Sequence, residues 1–311
     1  MTVGARIACM GVVLALFVVT AADPDAAPQF SAWSAPVNLG ATVNSSSNDV
    51  GPAISKDGLS LFLGSNRSGG SGDFDLYVSQ RASVGALWGP PQNLGPVVNT
   101  GALENVPALS RDGHWLFFNS NRAGGSGGQD VWASYRAHTH DDFAWEAPVN
   151  LGAGVNSALF DGGTGFFEND ENGLPLLFFG SFRPGGVGGV DIYVSAAAAD
   201  GSFGTASLVP ELSSPANDQR PSVRFDGLEV FLFSDRPGTF GGADLWVSTR
   251  DTLSQAWSTP VNLGATVNSV VVDQQPYIAA DRETLFFASN RPGGFGDQDL
   301  WVTTRTKKNR P

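Results

Sequence analysis

The feature that most constrains this chain is an internal repeat that recurs five times. The copies begin at Trp33, Trp88, Trp145, Phe203 and Trp257, so successive starts lie 55, 57, 58 and 54 residues apart. Each copy reads W-x-x-P-x-N-L-G, V-N, an acid, P-x-I-S-x-D-G, an apolar run ending in S-N-R, G-G-x-G and D-L-W-V, with substitutions. Repeats of this length bury their apolar faces against each other, which predicts a repeat architecture.

Each copy contains four segments with the character of β-strands. In the first copy, residues 52–55 and 59–65 flank a Lys-Asp-Gly turn, residues 75–80 alternate between apolar and polar, and residues 33–39 hold an edge-type proline. Short β-branched and aromatic runs bounded by turn residues are typical of strands. Four antiparallel strands repeated five times predict an all-β fold, a five-bladed β-propeller.

The order of the segments predicts how the ring closes. The chain enters the first copy with an outer strand and leaves the fifth copy after a third strand. The last blade therefore lacks its own outer strand, and we expect the N-terminal strand around residues 33–39 to supply it. This closure would cover two open sheet edges.

The repeat resembles a known family. S-x-D-G-x-x-L-F-F-x-S-N-R followed by D-L-W-V is similar to the WD40-like repeat of PD40 and TolB-type propellers, over about residues 30–305. The R-P-G-G-F-G-D-Q-D-L-W-V form of the fifth copy resembles propellers of bacterial envelope proteins that often carry an OmpA-like domain. That domain has no counterpart here, so peptidoglycan anchoring is not carried over. The resemblance implies an exported binding or scaffolding propeller.

The sequence also predicts the domain organisation. Residues 1–22 read as a signal peptide, with Arg6 before an apolar run over 7–19 and small residues at 20–22. We expect a short linker at 23–30, the propeller at 31–305 and a basic tail at 306–311. The protein is then exported, periplasmic or extracellular in a bacterium, and does not span the membrane after cleavage. Cys9, the single cysteine, lies in the signal, so the processed protein would lack disulfides and cysteine nucleophiles.

Charge limits the partners. The chain has 18 Lys and Arg against 30 Asp and Glu, a net charge of -12. Nucleic acid requires a basic surface, so it is not expected as a partner. The expected partner is therefore an envelope or extracellular protein, or a glycan.

Three sets of charged residues recur at fixed spacing and should lie at one end of the ring. The candidate rim acids precede the innermost strands: Asp49, Glu104, Asp161, Asp218 and Asp273. The arginines end the adjacent strands: Arg67, Arg122, Arg183, Arg236 and Arg291. The second acids open the next strands: Asp75, Asp130, Asp191, Asp244 and Asp299.

Two interpretations of these residues stay open. In one, each blade holds an Asp-Arg-Asp charge lattice that neutralises buried charge and pins the glycine-rich loop. In the other, the rim acids face the channel mouth and bind a cation or a polyhydroxylated ligand. Equal use in every blade favours architecture for the arginines and second acids.

No metal site, cofactor or catalytic set is expected. G-G-x-G-x-x-D is similar to a calcium-binding nonapeptide, but the copies lie too far apart to stack, and loop geometry explains the glycines better. Calcium is kept as the one cofactor alternative. The segment His138-Thr139-His140-Asp141-Asp142 could chelate a metal, but it lies in the loop of most variable length, which we expect to be solvated.

Three classes of function remain open. The leading expectation is an exported non-catalytic propeller that binds a protein or envelope component. The first alternative is a lectin-like protein with one glycan site per blade, since Trp and Asn recur in each copy. The second is a five-bladed glycoside hydrolase, which needs two carboxylates with different pKa values.

Overall fold

The computed structural model describes residues 30–168, 175–198 and 201–308. The predicted signal peptide, nearly all of the linker and the end of the basic tail lie outside these residues. Within them, no helix is long and apolar enough to cross a membrane.

The described chain forms five separate four-stranded antiparallel sheets, which confirms the five-bladed propeller. Every blade runs from an inner strand to a short outer strand. Blade 1 consists of β2 (Asp49–Ile54), β3 (Ser60–Ser65), β4 (Asp75–Gln80) and β5 (Gln92–Asn93). Blade 2 consists of β6 (Glu104–Leu109), β7 (Trp115–Ser120), β8 (Asp130–Tyr135) and β9 (Val149–Asn150). Blade 3 consists of β10 (Asp161–Phe167), β11 (Leu176–Ser181), β12 (Asp191–Ala196) and β13 (Ser207–Leu208).

The last two blades complete the ring. Blade 4 consists of β14 (Asp218–Val223), β15 (Glu229–Ser234), β16 (Asp244–Thr249) and β17 (Val261–Asn262). Blade 5 consists of β18 (Asp273–Ile278), β19 (Thr284–Ser289), β20 (Asp299–Thr304) and, at its outer edge, β1 (Val37–Asn38) from the start of the described chain.

The N-terminal closure is therefore confirmed. Val37 pairs with Val302, and Ser34 exchanges hydrogen bonds with Thr304, including one of 2.8 Å from its backbone N–H. Trp33 packs edge-on against Phe231 of blade 4, with ring centroids 5.8 Å apart. Both the sheet edge and the interface between blades thus depend on this segment.

The core lies between neighbouring blades. Strands β3, β7, β11, β15 and β19 are almost wholly buried, and their apolar side chains form five clusters that bridge adjacent sheets. In blade 1 the predicted turn is present: Asp57 Oδ1 accepts the Leu59 N–H at 3.0 Å, and Gly58 has φ of 74°. Gly at that position avoids the strain of a left-handed backbone.

The inner strands contain an irregularity that the repeat pattern does not predict. The third residue of each inner strand has positive φ, and the sheet register shifts there. Blades 1 and 3 have glycine at this position. Blades 2, 4 and 5 have Val106, Arg220 and Gln275, with φ between 52° and 56°. Each bulge turns the strand at the axis of the ring, which shapes the site described next.

Candidate functional site

All three repeated charge sets lie at the end of the ring where the inner strands begin. The five candidate rim acids are completely buried. Each forms an ion pair with the arginine of its own blade. The pairing distances include 3.1 Å for Glu104 with Arg122 and 2.7 Å for Asp161 with Arg183.

The same acids also hold the loop that precedes each inner strand. Asp49 Oδ2 accepts the Ser45 N–H at 2.5 Å, and Arg67 donates to the Val43 carbonyl at 2.8 Å. The equivalent bonds recur in the other blades. These acids are engaged on both carboxylate oxygens and are closed to solvent. Their binding of a cation or glycan stays an untested prediction, and this environment does not favour it.

The second acids are held differently from the expected lattice. Asp75 accepts the Ser71 N–H at 2.6 Å and the Asn93 side chain at 2.8 Å, and no hydrogen bond joins it to Arg67 in the described residues. Asp130, Asp191, Asp244 and Asp299 bond their glycine-rich loops in the same way. The rim acid with its arginine and the second acid with its glycine-rich loop are thus two separate hydrogen-bonded groups in each blade. Burial raises the pKa of Asp244, opposed by the bonds from Asn262 and the Phe240 N–H.

The opposite end carries a second repeated device that the sequence reasoning missed. An arginine after the third strand stacks on the tryptophan of the repeat start in four blades. The distances from guanidinium to ring range from 4.1 Å for Arg250 over Trp257 to 4.5 Å for Arg305 over Trp33. This arginine stands six residues after the aspartate that opens the third strand in each of these four blades, and that recurring spacing could have identified it from the sequence. The repeated tryptophans are therefore engaged in the fold.

The loop of residues 138–142 is solvated at His138, His140 and Asp141, as expected, but not at Asp142. Asp142 is buried and pairs with Arg136 at 2.6 Å. The other carboxylate oxygen of Asp142 accepts hydrogen bonds from the side chains of Ser60 and Gln80 in blade 1, so Asp142 joins blades 1 and 2. The described residues contain no group of three or more His, Cys, Asp or Glu that could hold a metal ion.

A cavity of about 110 Å³ lies on the propeller axis at the same end as the charge sets. Its walls are mainly amide side chains with two phenylalanines, and Arg220 is the one charged residue among its lining. The lining residues are Asn105, Val106, Asn119, Gln129, Phe160, Gly163, Gln219, Arg220, Phe233 and Gln275. The repeat-based reasoning missed this site because it was read from what all blades share. The cavity is formed by positions at which the blades differ.

Some of these amides are committed to the fold, and others are free for a ligand. Asn119 accepts the Gly163 N–H at 2.9 Å, and Gln275 accepts the Gly51 N–H at 2.7 Å. Asn105 Oδ1 is buried with no hydrogen-bond partner among the described atoms. Buried polar atoms normally have partners, so Asn105 Oδ1 is an unused hydrogen-bond acceptor on a residue that lines the cavity.

Arg220 occupies the channel beside this cavity. Its Nη1 donates to the Val106 carbonyl at 3.0 Å, and its Nη2 donates to the carbonyls of Pro52 at 3.0 Å and Pro107 at 2.7 Å. Burial lowers the pKa of Arg220 to about 10, so the guanidinium remains charged at neutral pH. No described carboxylate forms an ion pair with it.

Two further acids break the repeat at this end. Asp73 and Asp297 stand two residues before the second acid of blades 1 and 5, where the other three blades have glycine. Both are exposed, and in the described structure neither side chain has a hydrogen bond or ion pair. They are accessible carboxylates, unlike the buried repeat acids.

Comparison with known proteins identifies the fold. No protein-family model and no curated protein matches the chain. Among solved structures, an α-L-arabinofuranosidase from Lactobacillus brevis aligns with a TM-score of 0.59 and 13% identity, covering 88% of this chain and 94% of its own. The catalytic domain of a GH62 α-L-arabinofuranosidase from Coprinopsis cinerea aligns with a TM-score of 0.55 and 12% identity, covering 91% of this chain and 98% of its own. A TolB from Agrobacterium tumefaciens aligns with a TM-score of 0.51 and 14% identity, covering 90% of this chain and 100% of its own.

These comparisons revise the functional expectation. The TolB match supports the TolB-type propeller fold, but no family model establishes the PD40 repeat family. The expectation of a non-catalytic binding or scaffolding protein is contradicted, because arabinofuranosidases are prominent among the structures that share the fold. At these sequence identities the likeness shows the fold alone, and the glycoside hydrolase alternative becomes the better hypothesis.

Proposed function

We propose that this protein is a glycoside hydrolase that binds its glycan in the axial cavity. The observation that carries the proposal is the lining of that cavity: amide side chains, two phenylalanine rings and an unpartnered carbonyl oxygen on Asn105. Amides donate and accept hydrogen bonds at once, which suits sugar hydroxyls, and aromatic rings suit the apolar faces of sugars. We also propose, from the repeat motif, membership of the PD40 repeat family.

The structural neighbours support the choice of chemistry. The two arabinofuranosidases named above share the fold over most of their length, so arabinose-containing glycans are the first substrates to test. The match with TolB shows that the fold also occurs outside glycoside hydrolases. The cavity and the exposed carboxylates of this chain are therefore what support hydrolysis here.

Hydrolysis needs two accessible carboxyl groups about 5 to 9.5 Å apart. One protonates the oxygen of the leaving group. The other either activates a water molecule or attacks the anomeric carbon. The buried repeat acids are poor candidates because each is already paired with an arginine. Asp73 and Asp297 do not line the cavity, but they are exposed, lie at the same end of the ring and break the repeat, so we propose them as the acid and base to be tested first.

The test is release of reducing sugar from arabinan and arabinoxylan by the wild type, Asp73→Asn and Asp297→Asn. General acid or base catalysis contributes about 10²- to 10⁴-fold, so each variant should lose at least 100-fold in kcat with an unchanged melting temperature. Asp251→Asn is the matched control, because Asp251 is an exposed acid at the opposite end. Equal activity of all three variants would refute the assignment of the carboxylates. Absence of hydrolysis by the wild type on a broad glycan panel would refute the function.

A further inference from the structure

The charge of Arg220 is not balanced by any described carboxylate. The arginines of the five repeat pairs each contact an acid, and Arg136, Arg224 and Arg305 do so as well. Arg220 is 1% exposed and contacts three backbone carbonyls and the ring of Tyr277, 5.9 Å from the guanidinium carbon. Carbonyl dipoles solvate a cation, but they leave its net charge in place.

The hydrogen-bond capacity of Arg220 is also incomplete. A guanidinium has five N–H groups, and the described atoms accept three bonds from its two terminal nitrogens. Its Nε is buried and has no partner in the described structure. A buried donor without an acceptor, on a group that is also charged, is costly to the fold unless a ligand contributes.

The backbone of Arg220 is strained, as it is at the equivalent Val106 and Gln275. It takes the left-handed position of the inner-strand bulge, with φ of 52°, where blades 1 and 3 have glycine. A non-glycine residue there costs about 1 to 2 kcal/mol. The strained residue lines the axial cavity, and strain of this kind concentrates at functional sites.

The cavity surroundings strengthen the effect of this charge. Among the lining residues there is no Asp or Glu, and the side-chain amides of Gln129 and Gln219, which also line the cavity, can donate N–H groups. In a partly closed cavity a positive charge attracts an anion more strongly than it would in water. The unpartnered oxygen of Asn105 at the same time suits a hydroxyl. Together these features call for a ligand that carries both hydroxyls and one negative charge.

We propose that the axial cavity is a subsite for an acidic sugar, a uronic acid whose carboxylate is attracted by Arg220 and bonded by the cavity amides. This inference rests on the proposed glycan-hydrolysing function and narrows its substrate class from glycans in general to those that carry a carboxylate-bearing sugar. Arg220 selects the ligand here and takes no part in bond cleavage.

The test compares binding of sodium D-galacturonate with that of D-galactose to the full chain by isothermal titration calorimetry. The two sugars differ at the carboxylate, so the wild type should prefer galacturonate by at least tenfold, about 1.4 kcal/mol. The preference should shrink as sodium chloride is raised from 50 to 500 mM. Sodium acetate should bind at least tenfold more weakly than galacturonate, because it lacks the hydroxyls.

Two variants assign the preference to Arg220. Arg220→Met removes the charge at similar length and should abolish the preference, whereas Arg220→Lys keeps the charge and should retain part of it. Far-UV circular dichroism and melting temperature establish folding. If Arg220→Met does not fold, the preference and salt dependence of the wild type still decide the matter.

The outcomes separate this inference from the proposed function. Equal affinity for galactose and galacturonate, or a preference that survives in Arg220→Met, would overturn the acidic subsite while leaving glycan hydrolysis intact. Acetate binding as tight as galacturonate would overturn the sugar assignment. Binding of galacturonate with no hydrolysis of any glycan would overturn the proposed function and keep the subsite.

Discussion

The closure of the ring by the N-terminal segment gives the most quantitative prediction. Trp33 is half-buried between blades 4 and 5, edge-on to Phe231 and 4.5 Å from the guanidinium carbon of Arg305. Full burial makes Trp→Ala cost about 3 to 5 kcal/mol, and half-burial reduces this to about 2 kcal/mol. Loss of the aromatic and cation–π contacts adds about 1 kcal/mol. We therefore expect Trp33→Ala to lower the free energy of unfolding by about 3 kcal/mol.

This loss can be measured as a shift of the thermal transition. For a domain of this size, 1 kcal/mol corresponds to about 2 °C, so the melting temperature should fall by about 6 °C. Trp115→Ala is the matched control. Trp115 is 37% exposed and packs at a tilt against Tyr135 within blade 2, away from the closure, so its loss should shift the transition by less than about 2 °C. Equal shifts for the two variants would refute the argument that the first segment locks the ring.

Three further predictions concern the inner strands and the charge pairs. Asp161→Asn should cost about 3 to 5 kcal/mol by leaving Arg183 buried without its partner, and a double-mutant cycle with Arg183→Met should recover part of that loss; additive losses would contradict the pairing. Val106→Gly should change the melting temperature by less than about 2 °C, because relief of the left-handed backbone strain offsets the loss of buried side chain. Val131→Gly, in a regular strand, should lower the melting temperature by more than about 4 °C. Equal losses in the two variants would contradict the strain at Val106. Burial raises the pKa of Asp244 in the folded protein above its ordinary 3.8, so the stability that this group contributes should fall as the pH rises from 3.8 through the folded pKa. In thermal melts, Asp244→Asn should make the melting temperature depend less on pH over this range. A steeper pH dependence in the variant would contradict the prediction.

The sequence was sufficient to predict the architecture because the fold repeats. Five copies of one apolar pattern report the same four strands five times, and a missing outer strand in the fifth copy indicates the partner of residues 33–39. The pairing of Val37 with Val302 follows directly from that count. The acid-arginine pairs follow from spacing across one hairpin, such as Asp49 with Arg67.

The candidate site was much less predictable, for a physical reason. A repeat records what every blade needs for packing, whereas a ligand site on the axis depends on positions at which blades differ. Arg220 is an arginine where two other blades have glycine, and its carbonyl partners come from blades 1 and 2, more than 100 residues away in sequence. The carboxylates that looked most functional, such as Asp49, are buried because the fold uses them.

The central claim is that glycan binding occurs at one axial site and not at five equivalent sites. It is tested most directly by calorimetric titration of a non-hydrolysable thioglycoside analogue of the oligosaccharide that the wild type hydrolyses fastest, using the wild type and Gln129→Trp. Gln129 is partly exposed and lines the cavity, so the larger side chain should fill it without unfolding the ring. We predict one site per chain in the wild type and at least tenfold weaker binding in the variant. A stoichiometry near five, or unchanged affinity in folded Gln129→Trp, would contradict the account.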